Sequence, residues 1–123
     1  MVLGASAFIY LGFGLAFFFF PIQMTTLLDS TPRSVDLLTD IRAIYGGLNT
    51  GIGIMLVVGI SRPSVRRFAL WLIALTLGIA ALGRVVGIFT TGYQESLTLL
   101  LLTAESAGAL TALVTLFVTR KSP

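Results

Sequence analysis

Four long apolar stretches, separated by short polar turns, dominate the sequence. They cover about residues 2–20, 35–60, 68–90 and 97–119. Each is close to the roughly 20 residues that a helix needs to cross the hydrocarbon core of a bilayer. The stretches are continuous, unlike the short alternating strands of a membrane barrel. This pattern predicts an all-α membrane protein, a single domain of four transmembrane helices in an up-down bundle.

The polar residues between the stretches indicate where helices begin. Ser34 is a favourable N-cap after Pro32, and Asp36 would lie in the first turn, so we expect the second helix to begin near Val35. No lysine or arginine precedes the first stretch. We therefore interpret that stretch as a retained transmembrane helix and not as a signal peptide.

Composition supports the membrane assignment and narrows the chemistry. Of 123 residues, 56% are hydrophobic and 11% are charged, whereas soluble domains have about 25% charged residues. Histidine and cysteine are both absent, which leaves little for acid–base, nucleophilic or metal chemistry. We therefore expect no enzymatic activity, no metal and no cofactor. Because the basic residues cluster at positions expected on one face of the membrane, we also expect no nucleic-acid partner.

The charges between the stretches predict an orientation. Four helices would place one basic group on a single side of the membrane: Arg62, Arg66, Arg67, Arg120 and Lys121. The opposite side would be net acidic, with Asp29, Arg33, Asp36, Asp40 and Glu95. Under the positive-inside rule both termini are cytoplasmic. We expect a multi-pass protein of the bacterial cytoplasmic (inner) membrane.

Two charges lie deep within the last two stretches. An arginine near the middle of a transmembrane helix, as at Arg84, costs about 3 kcal/mol on insertion scales. Glu105 lies at nearly the same depth, because both residues are about 10–12 Å from the outer ends of their helices at the helical rise. We therefore predict that the two side chains meet directly or through one water. Small neighbours would permit the approach: Ala80, Ala81, Gly87, Gly108, Ala109 and Ala112.

Further polar residues of the second stretch are expected to extend this layer: Asp40, Arg42, Tyr45 and Asn49. Glycines would let helices pack closely, and Gly47-x-x-x-Gly51 matches the small-residue packing motif. The predicted packing set is Gly46, Gly47, Gly51, Gly53, Gly83, Gly87 and Gly108.

The chain resembles a bacterial family of small four-helix integral membrane proteins described as a domain of unknown function. The resemblance covers nearly the whole chain and rests on a pattern of polar residues and glycines: Asp40-x-Arg42-Ala43-x-Tyr45-Gly46-Gly47, Gly51-x-Gly53, Gly83-Arg84-x-x-Gly87, Gly92 and Glu105. It implies a four-span fold and singles out the same polar residues, and it carries no established activity.

The polar layer has three interpretations. It can be structural, fixing the register of the helices, or it can bind an anionic or polar ligand such as a lipid headgroup, or it can conduct protons through Glu105. We favour a non-enzymatic membrane protein that is an oligomer or an accessory subunit of a larger membrane complex. Its expected partners are membrane lipids and other membrane subunits or further copies of itself. The alternative is a small transporter or lipid- or anion-binding protein using an Arg42–Arg84–Glu105 site.

Overall fold

The computed structural model describes residues 1–28, 30, 32, 34–92 and 96–119, and within these residues all regular structure is helical. The helices are α1 (Val2–Phe19), α2 (Pro21–Leu27), α3 (Val35–Ser61), α4 (Pro63–Thr91) and α5 (Ser96–Thr119). All but α2 are long and apolar enough to cross a membrane. The predicted all-α membrane protein with four transmembrane helices is confirmed. Several charges used for the predicted orientation lie outside the described residues: Asp29, Arg33, Glu95, Arg120 and Lys121.

Local sequence signals explain several helix ends. The hydroxyl oxygen of Ser34 accepts a hydrogen bond of 3.1 Å from the backbone N–H of Leu37, so α3 begins where its N-cap predicts. Pro63 occupies the first turn of α4, where its missing N–H costs no hydrogen bond. Gly92 ends α4 in the left-handed conformation with φ 64°, and its N–H donates to the carbonyl of Ile88.

The short helix α2 is not among the predicted elements. Phe20 interrupts the helical chain with φ −126° and ψ 50°, and Pro21 begins α2 immediately after it. Proline lacks the N–H that would continue α1, yet its fixed φ suits the first position of a new helix. Thr25 is buried, and its hydroxyl donates to the carbonyl of Pro21 at 2.9 Å.

Helix α3 contains an unpredicted π-helical segment. It is α-helical over Val35–Ile41, π-helical over Arg42–Leu48, and α-helical again over Asn49–Ser61. Hydrogen bonds in a π-segment run between residues five apart, and such segments occur frequently at functional sites. Where the π-segment ends, the side chains of Asn49 and Thr50 each donate a 2.8 Å hydrogen bond to a backbone carbonyl one turn back.

The chain divides into two compact units, and the first, Leu3–Ser61, is built on close backbone contact between α1 and α3. An added Cβ would overlap the opposite helix at three points: Gly14 against Thr50, Gly46 against Phe18, and Gly53 against Leu11. These pairs follow one antiparallel register, because each step along α1 is matched by an equal step back along α3. Glycine on either helix therefore permits the contact.

The second unit begins at Arg62 and consists of α4 and α5 as an antiparallel hairpin. The side chain of Leu77 lies over Gly108, where an added Cβ would come within 2.6 Å of its Cδ1 atom. A Cβ added at Gly78 would lie 3.9 Å from the Cβ of Ala109. Small residues therefore bring the two helices close along the same face.

Candidate functional site

Arg84 of α4 and Glu105 of α5 form a two-point ion pair. Nε of Arg84 donates to Oε2 of Glu105 at 2.8 Å, and Nη2 donates to Oε1 at 2.8 Å. The Arg84 side chain is 32% exposed and that of Glu105 is 14% exposed, so the carboxylate is the better shielded partner. The structure thus brings together the two residues that the sequence places at one depth.

This geometry is the strongest form of an arginine–carboxylate contact. Two parallel charged hydrogen bonds fix both the distance and the relative orientation of the two side chains. Arg84 lies seven residues before the end of α4, about 10 Å along the helix axis. At that depth each partner offsets much of the cost of placing the other away from water. The pair therefore links α4 directly to α5 at this depth.

Small residues make room for the pair. Ala81 lies almost one turn before Arg84 and is 8% exposed, and Ala109 lies one turn after Glu105 and is 7% exposed. Because neither carries more than a methyl group, the two backbones can approach closely beside the pair.

Arg42 binds a backbone carbonyl at the C-terminal end of α1. Its Nε donates to the backbone carbonyl of Phe18 at 3.0 Å. The last carbonyls of a helix have no donor within the helix, and a cation there also interacts favourably with the helix dipole. Arg42 therefore caps the C-terminal end of α1 and ties α1 to the π-segment of α3.

The other predicted polar residues of α3 lie around this cap. The Tyr45 ring packs against the buried Phe17 ring, with centroids 5.4 Å apart. Nδ2 of Asn49 donates to the carbonyl of Tyr45 at 2.8 Å. Asp40 is exposed and has no ion pair with any residue in the described ranges. The contacts of Arg42, Tyr45 and Asn49 described here are all within the first unit.

Only part of the predicted glycine set makes close helix contacts. Gly46, Gly53 and Gly108 do so, as does Gly14 of α1, which is not a member of that set. A Cβ at Gly47 would approach only the Arg42 carbonyl oxygen, at 4.0 Å, within its own helix. Three predicted packing glycines make no close contact within their own units, where a Cβ built on them meets no described atom within 4 Å: Gly51, Gly83 and Gly87.

The spacing of the contact glycines explains the difference. Gly46 and Gly53 are seven residues apart, about two helical turns, and both face α1. Gly47 and Gly51 lie beside that face and border an apolar groove instead. A spacing of seven residues between glycines is therefore the sequence signal for this contact face, whereas the four-residue spacing of Gly47 and Gly51 is not.

The groove between α1 and α3 has a volume of about 300 Å³. Residues from both helices line it: Leu15, Phe18 and Phe19 from α1, and Gly47, Thr50, Gly51 and Ile54 from α3. Its lining is almost wholly apolar, and Phe18, the residue whose carbonyl Arg42 binds, forms part of the wall. The sequence analysis did not predict this groove.

Nothing among the described residues forms a metal site, since no cluster of three or more histidine, cysteine, aspartate or glutamate residues occurs there. Comparison with curated proteins and with solved structures finds no match. The profile of one family, described as Domain of unknown function (DUF4345), matches residues 1–116. The match includes all four transmembrane helices almost entirely, together with Arg42, Arg84 and Glu105. The chain therefore belongs to the DUF4345 family.

Proposed function

We propose that this multi-pass membrane protein is non-enzymatic and acts as an oligomer or as an accessory subunit of a larger membrane complex. We place it in the bacterial cytoplasmic membrane with both termini inside. The observation that carries the proposal is the open small-residue pair Gly83 and Gly87 on α4.

Gly83 and Gly87 are four residues apart, the spacing at which glycines let two membrane helices pack backbone to backbone. A Cβ added at either would meet no described atom within 4 Å. Close packing within the second unit instead uses Gly108 and neighbouring alanines. Packing within the second unit therefore leaves the glycine pair unused, and in this proposal it packs against a helix of another chain.

The Arg84–Glu105 pair supports such a role. Arg84 lies between the two glycines in sequence, and its side chain is turned toward α5. Because the ion pair fixes the rotation of α4 against α5, the glycine pair keeps one direction relative to the hairpin. A fixed direction reduces the ordering cost that a flexible helix would pay on association.

Absence of catalytic residue types supports the non-enzymatic part of the proposal. The sequence has no histidine and no cysteine, the side chains that most often act as bases and nucleophiles near neutral pH.

The alternative is a transporter or anion-binding protein that uses Arg42, Arg84 and Glu105 as one site. It is less well supported, because Arg84 directs two N–H groups at Glu105 and Arg42 directs Nε at the Phe18 carbonyl. A substrate anion would have to compete with Glu105 for Arg84.

The test is the mass of the protein, without the bound detergent and lipid, in the particle extracted from native membranes in a mild detergent. We expect the wild type to exceed the 13.1 kDa of one chain, and Gly83→Ile and Gly87→Ile to shift toward the monomer because a branched side chain blocks backbone approach. Gly4→Ile is the matched control, since a Cβ at Gly4 also meets no described atom within 4 Å. A monomeric wild type, or variants with unchanged mass, would refute the proposal.

A further inference from the structure

We propose that the groove between α1 and α3 binds an anionic phospholipid, with one acyl chain in the groove and the phosphate against Arg42. The proposal does not require association through α4, and it differs from the three-residue site considered above because its argument uses neither Arg84 nor Glu105.

The groove suits a hydrocarbon chain. Leu15, Phe18 and Phe19 form one wall, and Gly47 and Gly51 leave space along α3 where side chains would otherwise fill it. Its polar side chain, Thr50, donates its hydroxyl to the Gly46 carbonyl at 2.8 Å. With that hydroxyl already bonded within α3, the groove offers little to a polar ligand and much to an apolar one.

Arg42 supplies the charge that a headgroup requires. Its Nε is held by the Phe18 carbonyl, and the side chain is exposed. Within the described parts of the chain, its two terminal nitrogens have no hydrogen-bond partner. A guanidinium fixed at Nε still presents the paired N–H groups that bind a phosphate at two points.

The depths of Arg42 and of the groove along the helix axes match the headgroup and the acyl chain of a lipid in one leaflet. Phe18 and Phe19 are the last residues of α1, where this transmembrane helix ends, and Leu15 lies one turn deeper. Arg42 is at the Phe18 level, and along α3 the groove continues from Gly47 to Ile54. The charge therefore lies at the end of the groove nearest the end of α1, as a headgroup and its chain require.

The π-segment aligns the charge with the groove. In an α-helix Arg42 and Gly47 would be about 1.4 turns apart and would point in different directions. In the π-segment, residues five apart are joined by a hydrogen bond and stack one turn apart. The Asp40 carboxylate does not neutralise the Arg42 guanidinium, because helix residues two apart do not face each other.

Native mass spectrometry of the full chain in mild detergent tests the site, with phosphatidylglycerol and phosphatidylcholine as probes. We expect one phosphatidylglycerol to bind about tenfold or more tightly than phosphatidylcholine, because both lipids carry the phosphate but the choline cation of phosphatidylcholine cancels its charge beside Arg42. Arg42→Gln should remove this preference and Arg42→Lys should keep most of it, because lysine retains the positive charge.

A second pair of variants tests the groove separately from the charge. Gly51→Leu should weaken both lipids about tenfold, since the leucine occupies the groove without meeting a backbone atom. Gly4→Leu, on an equally open glycine away from the groove, should bind both lipids like the wild type.

Three results would overturn the proposal. They are equal binding of the two lipids by the wild type, a preference that survives Arg42→Gln, and unchanged binding in Gly51→Leu. If Gly51→Leu lowers the mass of the particle but leaves lipid binding intact, the groove instead accepts a helix from a second copy. Far-ultraviolet circular dichroism shows whether each variant retains the helical fold.

Discussion

The Arg84 guanidinium meets the Glu105 carboxylate side-on, with Nε and Nη2 each 2.8 Å from a different oxygen. Two residues 21 positions apart in sequence thus join α4 to α5 at a depth where water is scarce. Removing one partner of such a pair costs much stability, because the other charge is left uncompensated. Replacing both partners with apolar residues costs much less.

We predict that Arg84→Met and Glu105→Leu each destabilise the protein by about 3 kcal/mol, whereas the double variant is more stable than either single variant. Unfolding of the purified protein in detergent, followed by circular dichroism, measures the three stabilities. A double variant less stable than both single variants would show that the two side chains do more than compensate each other's charge.

Two glycines of α3 should respond oppositely to a methyl group. A Cβ at Gly46 would lie 2.7 Å from the Cα of Phe18, so Gly46→Ala should cost about 1–3 kcal/mol as an overpacked contact. Gly51→Ala, with no described atom within 4 Å, should leave stability unchanged or slightly raised. Thermal unfolding in the same detergent compares the two, and equal effects would contradict the contact between α1 and α3.

The cap on α1 should contribute measurably to stability. Arg42→Ala removes the hydrogen bond to the Phe18 carbonyl and the cation at the end of the helix, for which we expect a loss of about 1–2 kcal/mol. Hydrogen exchange should then increase at the C-terminal turn of α1 and remain unchanged in α5. Arg66→Ala, at an exposed arginine, is the control.

The predicted orientation can be tested without removing native thiols, since the sequence has no cysteine. In intact cells, a membrane-impermeant maleimide should label Ser30→Cys and should label Ser64→Cys only after the membrane is opened. Both positions are exposed, so a difference in labelling reports the side of the membrane. The reverse pattern would invert the topology.

The class of the fold and the ion pair could both be inferred from the chain alone. Long apolar stretches have few alternatives to membrane-spanning helices, because every backbone polar group must be bonded within lipid. An isolated arginine and an isolated glutamate at one depth must offset each other or pay the full cost of desolvation. The start of α3 could also be inferred, because Ser34 is a favourable N-cap residue and its hydroxyl forms the capping hydrogen bond.

Other features depend on how particular backbones meet and could not be inferred in this way. One is the cap that Arg42 forms on α1, which depends on the break at Phe20 leaving a carbonyl of α1 within reach of Arg42. The π-segment depends on hydrogen-bond register, which a pattern of apolar residues does not encode.

The many glycines predict that helices approach closely, but the rotation of each helix about its axis decides which glycines contact the neighbouring helix. Gly14, Gly46 and Gly53 face the opposite helix, whereas Gly47 and Gly51 border the groove. The continuous apolar stretches and the depths of Arg84 and Glu105 within them thus determined the spans and the charge pair, since each follows from the cost of polarity in lipid. Rotation and register, set by contacts between α1 and α3 and between α4 and α5, determined the groove, the helix cap and the open glycine face.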